Sequence, residues 1–518
     1  MDPGGGASGS PPGALVVSWW PGHLLVACLF LVSPAGAFAQ EPADLHIDGL
    51  FSDWPSSFGA HADGEFLYLR FTLPEKVTLQ GAPRPVRLFL DLDDNPETRH
   101  AGPVQTADLG SDLVVTFSPA RPGGRRGAGV GIEGKGEGVS VGGQSPTPGR
   151  LGLIFAPTTE SSSFELRLKR PDGPTPAAPE SLSLRLSVAS SDPGEQSARA
   201  DHGSDSHHGS KRKSDGAWQS EILRVLLPPR SAESRLAPAL VAHLPTHLRV
   251  VSWNVLFARP MSNPAPFARI FRALDPDVVL LQEWEKVDDL SLAAWFDTHV
   301  PKSTPWHART SSGWGVALVS RTPLERLGLA AVDRPDGAPA DDFRPDQSLR
   351  VVAARTQTRL GPVVMASIHL RCCGYAGSWQ DQARIAEITA IQEMLQSVFG
   401  AEKSIRVVGG DLNLVGSRQP LEILASGLGR GGGDLQPAQA PLLGDVAYHT
   451  WRDPRSRFTP GRLDWILYDP TAAREVTSFV FDTRGLQPEA LARSGLEIGD
   501  SDASDHLALV LDLAVGAP

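Results

Sequence analysis

Cysteine, methionine and tyrosine are scarce in this chain, at 3, 4 and 4 of 518 residues. Three cysteines exclude a disulfide-built scaffold, and neither their spacing nor their neighbours suggest zinc. A surplus of positive charge is missing too, since the formal net charge is −11. No global field exists to draw in nucleic acid or an anionic membrane, although a local site with a divalent cation can offset that balance. No apolar run reaches the roughly 20 residues of a comfortable transmembrane helix, and no fixed-period repeat is present. What the chain does have is 41 % hydrophobic residues, enough for real cores and against wholesale disorder. At roughly 100–200 residues per domain, its length calls for two or more domains.

Leu24 to Val32 is an apolar run of signal-peptide length, followed by Ala37-Phe38-Ala39 and then by polar Gln40-Glu41. This pattern predicts a signal peptide over residues 1–39, cleaved near Ala39, and a secreted or extracytoplasmic product. No Lys or Arg precedes the run, so an uncleaved anchor is the alternative; the Gly/Pro-rich stretch from Met1 to Gly13 reads as an over-extended start. After cleavage only Cys372 and Cys373 remain. Adjacent cysteines form either a strained vicinal disulfide or two loop thiols.

Residues 45–230 alternate polar and apolar residues in short runs cut by Gly and Pro. Phe66 to Phe71, Val86 to Leu90, Leu113 to Phe117, Phe164 to Leu168 and Leu182 to Leu186 read as strands of an antiparallel β-sandwich. Arg121 to Gly149 and Ser190 to Asp215 read as loops or disordered segments; in the second, His207-His208 and Lys211-Arg212-Lys213 read as a solvated linker before a metal or polyanion patch. His46-Ile47-Asp48-Gly49, Asp53-Trp54-Pro55 and Leu90-Asp91-Leu92-Asp93-Asp94-Asn95 make this region resemble the family-9-like carbohydrate-binding β-sandwich. The resemblance implies a glycan or cell-surface ligand. Asp91, Asp93 and Asp94 would suit a calcium ion or merely a polar turn.

From residue 247 to 515 the pattern changes to compact apolar strands separated by helix-like stretches, which predicts a layered α/β domain. Strands are expected at Leu248–Val255, Val278–Gln282, Gly315–Ser320, Leu349–Ala354, Val363–Leu370, Ile405–Gly409, Leu463–Leu467 and Ala508–Leu513. Helices are expected at Pro266–Leu274 and Trp379–Phe399. The second carries Ile385, Ile388, Ile391, Leu395 and Val398 as one apolar stripe.

Polar residues interrupt or end these strands at six places: Trp253-Asn254, Gln282-Glu283, Ser367-Ile368-His369-Leu370, Gly410-Asp411-Leu412-Asn413, Arg462-Leu463-Asp464-Trp465-Ile466 and Ser504-Asp505-His506. Each alone is an ordinary turn or a hydrogen-bonded structural residue. Together they place acids, amides and imidazoles beyond the ends of buried strands, where α/β enzymes build sites.

These motifs, in this order, resemble the endonuclease/exonuclease/phosphatase superfamily, which includes deoxyribonuclease I, neutral sphingomyelinases and inositol polyphosphate 5-phosphatases. The resemblance implies a four-layered α/β sandwich that cleaves phosphoester bonds with a divalent cation, Mg²⁺ first, with Mn²⁺ or Ca²⁺ as alternatives. It implies Glu283 as the principal metal ligand, with Asn254 beside it and Asp505 near the metal or a second position. It implies a buried Asp464–His506 dyad, Asp411 orienting or deprotonating water, Asn413 donating to the phosphate and His369 serving the leaving oxygen. Either His506 or Asp411 is the general base. Arg350 is a further network residue.

The histidine at 369 sets the chain apart from the apurinic-site repair nucleases. The reading it supports is a secreted metal-dependent phosphodiesterase, nucleic acid ranking ahead of phospholipid as substrate. Sphingomyelinase- or inositol-phosphatase-like activity comes second, and a non-catalytic secreted binding protein built on the β-sandwich is the rival class. No obligate protein partner is inferred. Arg452, Arg455, Arg457 and Arg462 could track phosphates, and Trp379 and Trp451 could meet a lipid surface. Gly431-Gly432-Gly433 lacks a following Lys-Ser/Thr and is a loop, not a nucleotide cradle.

Overall fold

A computed structural model of the chain describes residues 45–92, 95, 97, 109–121, 126–134, 146–170, 181–188, 218–230, 236–311, 315–329, 349–399 and 403–515. The expected signal peptide, the histidine and lysine runs near residue 210, and Asp93 and Asp94 lie outside them. Among the described residues no helix is long and apolar enough to cross a membrane.

The N-terminal part is all β. Its strands are β1 (Gly59–Ala62), β2 (Phe66–Val77), β3 (Val86–Asp91), β4 (Leu113–Phe117) and β5 (Val130–Gly134). Then come β6 (Ile154–Ala156), β7 (Ser161–Lys169), β8 (Ser181–Val188), β9 (Trp218–Gln219) and β10 (Leu223–Leu226). They form two antiparallel sheets, β1-β2-β7-β6 and β10-β8-β3-β4-β5, with β9 on β8. β5 corrects the reading of Arg121 to Gly149 as loop. Val130 and Ile132 pair with Phe117 and Val115, and the short run was hidden among glycines.

Strand β2 shows how one sequence faces two ways. Leu67, Leu69 and Phe71 point into the sandwich core with Leu166 and Leu168. Phe66 and Tyr68, on the alternate face, are also buried, in a cluster with Ile47, Trp54 and the distant Ala447. On that same face β7 buries Glu165 and Arg167. The opening motif answers one of these charges: Glu165 accepts from the Asp48 and Gly49 amides (2.7 and 2.5 Å) and from Trp54 Nε1 (2.9 Å).

The C-terminal part is α/β. Its strands are β11 (Leu248–Asn254), β12 (Val278–Gln282), β13 (His307–Thr310), β14 (Ala317–Ser320), β15 (Leu324–Arg326) and β16 (Val351–Thr358). They continue with β17 (Gly361–His369), β18 (Ile405–Asp411), β19 (Gln436–Pro437), β20 (Asp464–Tyr468), β21 (Arg474–Phe481) and β22 (Ala508–Ala514). The helices are α1 (Arg259–Ser262), α2 (Pro264–Leu274), α3 (Asp289–His299), α4 (Trp379–Phe399), α5 (Gln419–Ala425) and α6 (Pro488–Ser494). One mixed sheet runs β13-β14-β12-β11-β22-β21 and the other β15-β16-β17-β18-β20-β19. Val250, Leu280 and Leu318 of the first meet Met365, Val407 and Ile466 of the second across an apolar interior. The outer faces are covered by α2 and α3 on one side and by α4 and α5 on the other. This is the expected four-layered sandwich.

Helix α4 has the expected span but a different buried face. Ala383, Ala386, Ala390 and Met394 join Ile388, Ile391 and Leu395, while Ile385 and Val398 are only half-buried at the margins. The face also buries Asp381, Arg384 and Glu387, which hold neighbouring loops; Arg384 donates to the Arg371 and Cys373 carbonyls at 3.0 and 2.6 Å. A stripe drawn from large aliphatics alone misses such polar contacts. The loop expected at Gly431 to Gly433 contains a short 3₁₀ turn, Arg430–Gly432.

Candidate active site

The polar strand ends share a face. In β11 the residues facing the other sheet run Leu248, Val250, Ser252, Asn254; in β17 they run Val363, Met365, Ser367, His369. β18 continues Ile405, Val407 into Gly409 and Asp411, and β20 reverses the order, Asp464 before Ile466. The period of two that builds the apolar interior thus delivers its polar residues to one end of the same interior. Register then aligns three of them, because His369 pairs with Asp411 and Asp411 with Asp464 across β17, β18 and β20.

Two glycines make this approach possible. A Cβ at Gly409 would sit 2.7 Å from the Trp465 carbonyl oxygen, and one at Gly410 (φ +144°) would sit 1.9 Å from that of Ile368. Gln282 Nε2 donates to Ser367 Oγ at 3.0 Å, tying the two sheets together just beneath.

The centre of the group is Asp411 Oδ2. Asn254 Nδ2 donates to it at 3.1 Å and to Glu283 Oε1 at 3.0 Å. His369 Nε2 and His506 Nε2 approach the same oxygen from two sides, at 3.5 and 3.7 Å. Each imidazole has its other nitrogen engaged. Asp464 Oδ2 lies 2.8 Å from His506 Nδ1, whereas Arg350 Nη1 lies 3.3 Å from His369 Nδ1. A guanidinium can only donate, so the His369 Nδ1 lone pair accepts and its proton sits on Nε2.

Charge follows from these contacts. His369 is held well below the usual imidazole range, by burial first and then by Arg350 and His506. Burial also opposes charge on His506, but Asp464 and Asp411 outweigh it and push the imidazole up to about 10. Asp411 is pushed up to about 7, chiefly by burial, with His506 pulling the other way and Asp464 adding to the rise. Asp411 and His506 therefore titrate as a coupled pair.

Nearby residues are positioned by the backbone. Glu283 follows β12 in the left-handed region (φ +60°), and its Oε2 accepts the Phe257 amide at 3.0 Å. Leu256, Phe257 and Ala258 all take φ near +52°, three consecutive non-glycine residues in a disfavoured region beside the site. Asn413 donates its amide to the Leu370 carbonyl at 3.0 Å, and its backbone N–H to Asp411 Oδ1 at 2.9 Å. Asp505 sits to one side, taking Trp451 Nε1 on Oδ2 at 2.9 Å.

Among the described residues, the groups that lie close enough to share one ion are Asp411, Asp464 and His506, with ligand atoms within 4.8 Å of one another. These are residues read from the sequence as proton-transfer groups, not as the ligands Glu283, Asn254 and Asp505. Donor chemistry and the unmet valences fit a hard cation. Asp464 Oδ1 and Asp505 Oδ1 are buried without a hydrogen-bond partner, and oxygen ligands dominate.

Other expected residues scatter. Arg452 pairs with Asp482 and Asp502 at 2.6 and 3.2 Å, and Arg462 stacks on Trp465 at 3.8 Å, so two of the four arginines are committed. Arg455 and Arg457 face outward. Of the two tryptophans set aside for lipid, Trp451 is tied to Asp505 and Trp379 lies exposed over Arg371. Cys372 and Cys373 are free, exposed thiols on the segment after His369. Thr450 went unnoticed in the sequence, yet its Oγ1 accepts the Leu463 and Asp464 amides, each at 2.9 Å. Only the tertiary fold brings it there.

Residues 251–506 match the model described as the Endonuclease/Exonuclease/phosphatase family. No curated protein matches the chain. Among solved structures, the catalytic domain of human Nocturnin with bound sulfate is 19 % identical over 53 % of this chain and 97 % of its own, with a TM-score of 0.35. An AP endonuclease from Archaeoglobus fulgidus is 18 % identical, covering 51 % and 98 %, at 0.33. Sphingomyelinase C from Streptomyces griseocarneus is 19 % identical, covering 51 % and 99 %, at 0.32.

Proposed function

We propose, from the premise that residues 251–506 are a phosphoester-hydrolase domain of the endonuclease/exonuclease/phosphatase family, that this protein is a secreted phosphodiesterase acting on nucleic acid. The observation that carries the hydrolytic part is the convergence of Asn254, His369 and His506 on one carboxylate oxygen of Asp411.

The chain's own groups divide the work. Asp464 orients His506 through Nδ1 and holds the imidazole charged, so that its Nε2 proton faces the reacting phosphate. Asp411 takes the proton from the attacking water, while His506, which already holds its own proton, carries positive charge beside it. His369, with its proton on Nε2, is placed to donate to the leaving oxygen. Asn413, held by Leu370 through its amide nitrogen, offers its second N–H to a phosphate oxygen. Glu283 with Asn254, and the oxygens of Asp464 and Asp505 that lack partners, would hold a divalent cation. That ion would offset charge on the phosphorus oxygens and acidify a bound water.

Preference for nucleic acid rests on Phe257, Arg455 and Arg457. Phe257 is 68 % exposed and shares the Glu283 carboxylate through its amide, a position suited to stacking on a base. The exposed arginines border the loop that leads into Asp464.

The test is hydrolysis of bis-p-nitrophenyl phosphate by the purified mature protein, with Mg²⁺, Mn²⁺ or EDTA, beside Glu283→Ala and His506→Ala. Turnover that needs metal and disappears in both variants is expected. DNA, RNA and sphingomyelin then rank the substrates. Failure on all four would sink the enzyme reading in favour of a secreted binding protein.

A further inference from the structure

Residues 44–518 form one compact unit, so the β-sandwich is packed onto the catalytic layers and not merely tethered to them. Where it touches is informative. The contacts fall on three loops, each joined directly to a residue of the site.

The first loop, residues 370–378, leaves His369. The Ala376 amide donates to Thr78 Oγ1 at 3.0 Å, and Arg126 lies 3.6 Å over the ring of Tyr375. The second, residues 412–418, leaves Asp411. Thr158 Oγ1 donates to the Leu414 carbonyl at 2.8 Å, and the Glu160 amide to that of Gly416 at 2.8 Å. The third, residues 438–463, leads into Asp464 and is held most heavily. Arg167, 3 % exposed, makes a two-pronged ion pair with Asp445, with Nη2 to Oδ2 at 2.9 Å. Ile47 donates to the Val446 carbonyl at 2.9 Å, and the Thr459 amide donates to Gln80 Oε1 at 2.9 Å.

The third loop is also the one that sets the dyad. Thr450 accepts the Asp464 amide, its carbonyl accepts the Leu507 amide at 2.7 Å, and Trp451 bonds Asp505. Only four residues separate Asp445 from Thr450. Displacement of the loop at Arg167 would therefore reach Asp464, His506 and Asp505 together.

We propose that the β-sandwich is a built-in clamp of the active site, in which Arg167 is a positioning residue acting through Asp445 and the 445–451 segment on the Asp464–His506 dyad. Loops that carry catalytic groups need a rigid support to hold them within a fraction of an ångström. Here the support is a separate module. Its opening motif serves this purpose, because Glu165 anchors Asp48, Gly49 and Trp54 on the face that meets the loop. Arg167 is buried and Asp445 half-buried, so removing the carboxylate leaves a buried guanidinium charge unpaired.

The inference rests on the hydrolase reading for its activity readout only. The experiment compares the full mature chain with Asp445→Asn, Arg167→Lys and Gln80→Ala. It measures kcat and KM on bis-p-nitrophenyl phosphate and amide hydrogen exchange. For Asp445→Asn, kcat should fall by about 10-fold or more with KM within about 3-fold, and Arg167→Lys should lose less. Amides of residues 445–462 should exchange about 10-fold faster or more, while those of Val250 and Val279 keep their protection. Gln80→Ala, on a half-buried position that does not endanger the sandwich, should show the same pattern more weakly.

Unchanged loop exchange overturns the clamp, as does a loosened loop with kcat within about 2-fold of wild type. An inactive wild type would sink the hydrolase reading and leave exchange alone to decide. A loosened loop would then support the clamp, and an unchanged one would overturn it.

Discussion

At the scale of single residues, the site is governed by which nitrogen of each imidazole is occupied. His506 is tied through Nδ1 to Asp464, and His369 through Nδ1 to Arg350. Asp464→Asn keeps the shape but replaces the carboxylate with a neutral group that no longer holds the imidazole charged. Its kcat on a phosphodiester should fall by about 10²–10⁴-fold with an unchanged circular dichroism spectrum. Phe257 supplies the complementary case, a side chain that would act on substrate and not on chemistry. Phe257→Ala should raise KM for single-stranded DNA by about 5-fold or more, as loss of one stacked base implies. Turnover of bis-p-nitrophenyl phosphate should be unaffected. Equal effects on both substrates would place Phe257 in the support of Glu283 instead.

At the scale of elements, strand β18 carries the tightest constraint. It lies between β17 and β20, and its two glycines precede Asp411 because a side chain there would collide with neighbouring backbone. Gly410→Ala should therefore displace β18 from β17 and cost about 3 kcal/mol or more, seen as a lower urea midpoint together with lost activity. Most of the long strands were readable, since alternation and β-branched runs are local properties of the chain, but β13, β15 and β21 were not among those expected. Helix α4 was readable in span but not in face, because alanines and buried Arg384 weigh little in an apolar stripe. Strand β5 escaped notice because Val130 and Ile132 stand among glycines and gain their burial from β4.

At the scale of the whole molecule, two charge clusters sit at opposite ends of the paired sheets. In the site, carboxylates crowd together, so a bound cation should stabilise the fold. Thermal unfolding with Mg²⁺ near 100 times its Kd should report about 2.7 kcal/mol over EDTA, and Asp411→Asn should shrink that gain. At the other end, before β12, His243 faces Asp275 and Asp277, with Arg359, Arg321 and Lys302 around them.

The pH dependence of stability should follow from that second cluster. Burial would raise Asp277, but His243, the Arg249 amide and Arg359 outweigh it and hold the carboxyl below its usual range; Asp275 is likewise lowered against burial by Lys302 and Arg321. His243 is raised despite burial, through Asp277. The carboxylates contribute stability above their unfolded pKa, about 4, and lose it as pH falls through the folded values. His243 contributes below about 6.5 and loses its share as pH rises through its folded pKa. Denaturation midpoints should therefore be highest between about pH 4 and 6.5, and His243→Gln should flatten the alkaline decline.

The sequence by itself determined most of the long strands, the layered α/β class and the polar residues at their ends, because a period of two and a buried apolar run are written locally; the four layers came from the resemblance. The sequence also supplied the order of motifs that carries the family resemblance. Which ends meet was decided by tertiary structure: the pairing of His369 with Asp411 and of Asp411 with Asp464 depends on strands that are neighbours in the sheet but far apart in the chain. The same holds for Thr450 beneath Asp464 and for Arg167 against Asp445, partners separated by 14 and 278 positions. Contacts of that range carry no local signature, since they arise only when packed layers bring the loops together.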